Sequence, residues 1–172
     1  MQIGKYGKWF YVLPGILIFV IDRITKLTIA DSMPLYSRQP VIDDFFDLVH
    51  TRNPGIAFSL FADSTPIVRE VVIPALSVIA ILLVLVLFFQ AETHSWRLQL
   101  GLAFVLAGAL GNFYDRMVFG FVVDFLDFYI GDYHWPAFNI ADSAITIGAM
   151  FLVVDSIALT RQKEISNDLS KH

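Results

Sequence analysis

Residues 71–89 run for 19 positions without a charged side chain. Wound as a helix rising 1.5 Å per residue, the stretch spans about 28 Å, close to the hydrocarbon thickness of a bilayer. Such a run calls for lipid, and composition supports that: 56% of residues are hydrophobic, 16% are charged, and the mean hydropathy is +0.65. A soluble domain carries about a quarter charged residues. Three further segments read in the same way. The sequence predicts an all-α membrane protein, a single domain over 1–172, with four transmembrane helices at about 9–29, 67–89, 98–116 and 136–155. Two segments outside the spans, about 30–65 and 118–134, are long enough to build a site. Within the first, 45–52 and 57–61 have the β-prone composition of short strands lying on the membrane surface.

Trp9 and Trp96 fall at one face of this arrangement and Trp135 at the other, as amphipathic rings favour the headgroup layer. Lysine and arginine are balanced across the two faces, six on each. Lys5 and Lys8 precede the first span and weight the choice toward both termini in the cytoplasm. The first apolar run is read as a retained helix rather than a removed signal peptide, because it is long and its outer end carries paired charges. With no cysteine, disulfides, thiolate catalysis and zinc–thiolate sites are excluded. A net charge of −4 offers nothing to nucleic acid.

Ionisable groups inside or at the ends of spans are costly in lipid, so each asks for a reason. Asp22 and Lys26 stand four apart on one helical face. Asn112, Asp115 and Arg116 share a face near the end of the third span, and Asn139 and Asp142 share one in the fourth. Asp22 with Lys26, and Asp115 with Arg116, read as structural ion pairs. Asp155, at the inner end of the last span, reads as a helix-end or headgroup group. The small residues Ala103, Ala107, Gly108 and Gly111, with Ala144 and Gly148, imply that the third and fourth spans touch.

Asp124 and Asp142 differ from the rest. Neither has a basic residue within four positions, and both fall at the outer boundary. Two carboxyl groups facing each other in an apolar setting share one proton, the arrangement with which aspartic peptidases activate water. One serves as general base and the other donates to the scissile carbonyl oxygen. Other hydrolytic devices fit poorly. His50, His94 and His172 lie away from the spans, His134 has no evident serine partner, Lys26 already has Asp22, and no His-Glu-x-x-His helix exists for zinc. A proton-coupled carrier using Asp22, Arg116, Asp124 and Asp142 is the alternative from another class. Carriers place such groups near mid-depth, whereas these gather toward one face.

Five motifs then bear on identity. Asp22-Arg23-Ile24-Thr25-Lys26 and Asn53-Pro54-Gly55-Ile56-Ala57-Phe58-Ser59 are followed by Gly111-Asn112-Phe113-Tyr114-Asp115-Arg116, by Val122-Val123-Asp124-Phe125, and by Phe138-Asn139-Ile140-Ala141-Asp142-Ser143. In order and spacing they resemble the motifs of the signal peptidase II (lipoprotein signal peptidase) family, over nearly the whole chain. The resemblance implies that Asp124 and Asp142 are the catalytic dyad. It implies that Asn112, Arg116 and Asn139 support the dyad and contact the substrate backbone, with Asp22, Lys26, Asn53 and Asp115 in supporting roles. It further implies a prolipoprotein substrate whose cysteine bears diacylglycerol, with the cut on the amino side of that cysteine. A small extracytoplasmic β-rich cradle after the first span would hold the substrate, and a second loop would close over the dyad. No metal or other cofactor is implied, and cyclic peptide antibiotics of the globomycin type are the implied inhibitors of a monomeric enzyme in the bacterial inner membrane. Arg23, Pro54 and Ile56 depart from the family pattern, which has glutamine, threonine and alanine there. Proline removes a backbone donor and isoleucine adds bulk, so the cradle's shape is where these differences would act.

Overall fold

The computed structural model describes residues 7, 9–55, 64–91 and 95–169. The expected strand at 57–61 lies outside the described residues. Four long helices dominate: α1 (Trp9–Ser32), α2 (Ile73–Gln90), α3 (Trp96–Phe119) and α4 (Ile140–Leu169). A π-helical turn, Val68–Val72, leads into α2. Pro74 explains it: proline lacks an N–H, so the ladder slips by one residue and the Ile73 N–H donates to Val68.

Three of these helices are long and apolar enough to cross a membrane: Val68–Gln90, Trp96–Phe119 and Ile140–Leu169. In α1, Asp22, Arg23 and Lys26 fall in the second half of the helix. Its buried stripe is Tyr11, Gly15, Asp22, Lys26 and Ile29, while Leu13, Ile16, Leu17, Val20, Ile24 and Leu27 are exposed. The helix is thus inverted relative to a soluble one, with charges inward and apolar side chains outward. That pattern makes sense where the surroundings are lipid.

The helices approach closely where side chains are smallest. A Cβ on Gly108 would lie 2.2 Å from the Ala141 carbonyl oxygen, and one on Gly101 would lie 2.9 Å from that of Gly148. Spans three and four therefore do touch, as the sequence implied, but not through the whole small-residue stripe. Ala103 and Ala107 face Gly15 of α1 instead. Gly111 leaves room for the Asp22 carboxylate, whose Oδ2 would lie 2.8 Å from a Cβ there.

A four-stranded antiparallel sheet, ordered β1–β2–β3–β4, sits at one end of the bundle. Its strands are β1 (Arg38–Ile42), β2 (Phe46–Asn53), β3 (Val122–Ile130) and β4 (Tyr133–His134). β2 lies within one residue of its expected bounds. β3 corrects an expectation, since 118–134 reads from sequence as a loop with Asp124 on it. Gly120, in the left-handed region at φ 77°, ends α3 and turns the chain into β3. Between Leu48 and Thr51 the β2–β3 register shifts by a bulge: Leu48 opposes Leu126, yet Thr51 opposes Asp124. The extra residue changes which side chains of β2 share a face with Asp124, bringing Thr51 and Asn53 there.

Away from the helices, Arg38 bridges two buried carboxylates across three strands, Asp47 at 2.9 Å and Asp127 at 3.0 Å. His134 lies 3.0 Å from Asp127 and ties β4 to the sheet.

Candidate active site

The first turn of α4 is built from polar groups. Asn139 precedes the helix, and its Oδ1 accepts the backbone N–H of Asp142 at 3.0 Å. In return the Asn139 backbone N–H donates to Asp142 Oδ2 at 3.2 Å. This reciprocal cap satisfies donors that a helix end otherwise leaves free. Another such donor, the Ala141 N–H, goes to Asp22 Oδ1 at 2.9 Å. Two motifs distant in sequence thus meet at one helix end, where the helix dipole favours negative charge.

Asp124 approaches from β3. It is 3% exposed, and each carboxylate oxygen receives an amide: Asn139 Nδ2 donates to Oδ1 at 2.7 Å and Asn53 Nδ2 donates to Oδ2 at 3.1 Å. Its backbone carbonyl accepts the Thr51 hydroxyl at 3.1 Å. Asn53 is itself oriented, because its Oδ1 accepts the Gly55 N–H at 2.9 Å in a tight side-chain turn. Burial, followed by the nearby charge of Asp142, pushes the Asp124 carboxyl up to about 7. The amides of Asn53 and Asn139, and the charge of Lys26, pull it back.

Behind the two carboxylates lies a buried ion cluster. Lys26 Nζ sits 2.8 Å from Asp22 Oδ2 and 2.8 Å from Asp115 Oδ2, and it donates to Asn112 Oδ1 at 2.9 Å. Arg23 also pairs with Asp115 and stacks on the Tyr114 ring, 4.7 Å from its centroid. Two acids and two bases balance, which is what makes burial of the cluster tolerable. Asn112 then reaches forward, its Nδ2 donating to Asp142 Oδ1 at 2.7 Å.

A cleft of about 440 Å³ opens over these groups. Asp124, Asp142, Asn53, Asn112 and Arg116 form its polar wall, and Val122, Trp135, Phe138, Ile145 and Ile147 are among its apolar lining. Neither Asp124 nor Asp142 forms an ion pair among the described residues. Arg116 uses its guanidinium on the Gly55 carbonyl oxygen.

The structure brings together the residues singled out from the sequence, with three corrections. Asp115 does not pair with Arg116; it pairs with Arg23 and Lys26 of α1, because adjacent residues on a helix point apart. Asp155 is not a headgroup contact. It is buried and accepts the Ser95 hydroxyl at 2.6 Å. Asp124 belongs to a strand, so it is pinned by the β2–β3 ladder. Sequence reading missed Thr51 and the cleft segment from Trp135 to Phe138. The signal for Thr51 was its place two residues before Asn53, on the same side of an extended strand.

Fold and cleft define a class: a membrane-embedded enzyme whose polar chemistry gathers at one end of an apolar helix bundle. The comparisons with known proteins agree. A family model described as signal peptidase (SPase) II matches residues 15–158. The lipoprotein signal peptidase of Syntrophus aciditrophicus (strain SB) is 44% identical over 154 residues, covering 90% of this chain and 95% of that protein. That of Desulforapulum autotrophicum is 49% identical over 142 residues, covering 82% and 87%. A bacterial membrane enzyme solved by the in meso method at 2.3 Å resolution superposes with a TM-score of 0.77 at 32% identity, covering 92% of this chain and 94% of that one. This chain belongs to the signal peptidase II family.

Proposed function

We propose that this protein is the membrane aspartic endopeptidase that removes signal peptides from diacylglyceryl-modified prolipoproteins, cutting on the amino side of the lipidated cysteine, with Asp124 and Asp142 as its catalytic pair. One observation carries the reading. Two carboxylates share one cleft, each held by neutral amide or backbone donors rather than by a cation. A carboxyl titrating at about 7 can hold a proton at neutral pH, and its partner can take one from water. Asn53, Asn112 and Asn139 orient the pair, while Arg116 faces the cleft where a substrate backbone would lie. Asp22, Lys26 and Asp115 support the site from behind.

In the same proposal the chain is one membrane domain with four spans. α1 supplies the fourth, since its charges are consumed internally by Asp115, Asn112 and Ala141 and its apolar side chains point outward. The termini face the cytoplasm, and the sheet and cleft lie at the outer face of the bacterial inner membrane. The sheet is the cradle, with β2 and β3 presenting Asn53 and Asp124 to the substrate. The enzyme acts as a monomer, needs no cofactor, and is blocked by cyclic peptides of the globomycin type. The experiment is direct: detergent-purified protein is incubated with a lipidated prolipoprotein, and the released signal peptide is measured with Asp142→Asn alongside. Equal release by the two proteins would overturn the assignment.

A further inference from the structure

Lys26 is 1% exposed, and its ammonium has three close partners: Asp22 Oδ2 at 2.8 Å, Asp115 Oδ2 at 2.8 Å and Asn112 Oδ1 at 2.9 Å. The first two contacts balance charge. The third does something else. An ammonium can only donate, so it admits the oxygen of the Asn112 amide and excludes the nitrogen. That choice turns Nδ2 toward the cleft, where it donates to Asp142 Oδ1 at 2.7 Å. A flipped amide would set N–H against ammonium and oxygen against carboxylate, two repulsive contacts at once. The other oxygen of Asp142 accepts a backbone N–H at the start of α4, where the helix dipole also favours an anion. Asp124 is held differently: the Asn53 amide is oriented by the Gly55 N–H, and the Asn139 amide by the Asp142 N–H together with contacts at 3.4 Å to Asn112 Oδ1 and the Val123 carbonyl oxygen.

We infer that Lys26 is a positioning residue for the peptidase reaction: by locking the Asn112 amide it holds Asp142 as the anionic member of the pair, the one that takes the proton of water, and leaves Asp124 as the proton donor. The inference rests on the two-carboxylate reading above. In the first step the water oxygen bonds to the scissile carbonyl carbon. The water proton passes to Asp142, and the proton of Asp124 passes to the carbonyl oxygen, giving a gem-diol. In the second step the C–N bond breaks, and the departing amino nitrogen takes the proton held by Asp142. Asp124 regains its proton from a gem-diol hydroxyl, leaving a carboxylic acid and the starting protonation pattern.

The test must separate positioning from folding. Lys26→Met alone leaves Asp22 and Asp115 unbalanced, so it is paired with Asp22→Asn. Asparagine keeps an acceptor for the Ala141 N–H, and Asp115 keeps Arg23. The double variant is expected to lose kcat by about 100-fold, the scale of a misplaced catalytic group, with KM little changed. Asn112→Ala is expected to show a similar loss. Adding the Asp22→Asn/Lys26→Met pair to it costs no further kcat, the non-additivity of residues acting in series. Asn112→Asp tests the amide without touching Lys26, since it keeps an acceptor for the ammonium but presents oxygen to Asp142; it too should lose kcat while its melting temperature holds. Arg23→Gln weakens the same ion cluster away from Asn112 and should keep kcat. Retained kcat in the double variant or in Asn112→Asp, or additive losses in the combined variant, overturns the inference while inactive Asp124→Asn and Asp142→Asn leave the dyad standing. Active Asp142→Asn overturns the dyad and the inference together.

Discussion

Arg116 grips the Gly55 carbonyl oxygen with two guanidinium nitrogens, Nε at 3.1 Å and Nη2 at 2.7 Å. Through that carbonyl the third helix holds the turn in which Asn53 is oriented toward Asp124. A residue that reads from sequence as the ion partner of its neighbour is thus a clamp on a loop 61 residues away.

Replacing Arg116 by alanine should therefore weaken the enzyme in two respects. Loss of a charged donor to a backbone carbonyl costs about 1.5–3 kcal/mol, and release of Asn53 lowers activity. Arg116→Lys should recover only part of each, because an ammonium cannot reproduce the fork. Thermal melts and kcat/KM on the same preparations check this; full activity in the alanine variant would show that the clamp is dispensable.

Asp124→Asn and Asp142→Asn should each abolish cleavage while membrane insertion and fold are kept. The amide is nearly isosteric, but it can neither donate the carboxyl proton nor take one from water. Substantial turnover in either variant removes that residue from the mechanism.

Titration of Asp124 has a sign that can be tested. Its folded value, about 7, lies above the ordinary 3.8, so the folded state binds the proton more tightly than the unfolded chain. The stabilisation this gives is fully present below about pH 4 and is lost as pH rises to about 7. Melting temperature measured between these limits should fall less steeply with pH in Asp124→Asn than in the parent. On the proposed mechanism, with Asp124 as the proton donor, kcat/KM should also fall as pH rises past about 7. A parent and variant with parallel melting profiles would refute the assignment.

Gly108→Ala would place a methyl group 2.2 Å from the Ala141 carbonyl oxygen and 2.7 Å from Ile145. Backbone must move, and the backbone concerned is the turn that carries Asp142. Overpacking of this kind costs about 1–3 kcal/mol, and activity should fall with stability. A variant that melts and cleaves like the parent would show that α3 and α4 can separate without harm.

Lipidation should decide whether a precursor is cut. Each buried acyl methylene contributes about 0.8 kcal/mol, so two chains anchor a diacylglyceryl cysteine at the bilayer boundary far better than a bare thiol does. Lipidated and unlipidated forms of one precursor, assayed side by side in the same detergent, should differ widely in rate. Comparable rates would remove lipid depth as the basis of substrate choice.

The helices were legible because an apolar run of bilayer length leaves few alternatives, and β2 was legible from its β-prone composition. β3 was not. Residues 122–125 are buried without alternation, so they lack the period that marks a strand, and the partner strand lies about 70 residues earlier in the chain. The acidic pair stood out because each member lacks a nearby base. The donors that hold it were recognised through resemblance to a family, while their geometry depends on a bulge that no local pattern announces. Strict alternation from Phe46 would put Arg52, rather than Asn53, on the face of Asp124. The partner of Asp115 was misread for a related reason: proximity in sequence is a poor guide on a helix, where residues three or four apart meet and neighbours diverge.

The mutual cap between Asn139 and Asp142 makes the winding of one helical turn and the assembly of the peptidase the same event. Helix ends are where a structure opens first, so heating should silence the enzyme by unwinding that turn well before the bundle melts. The same coupling governs biogenesis. In a nascent chain whose last helix has not yet wound, Asp142 is not yet held at the cleft, so on the proposed mechanism activity should appear only once insertion is complete.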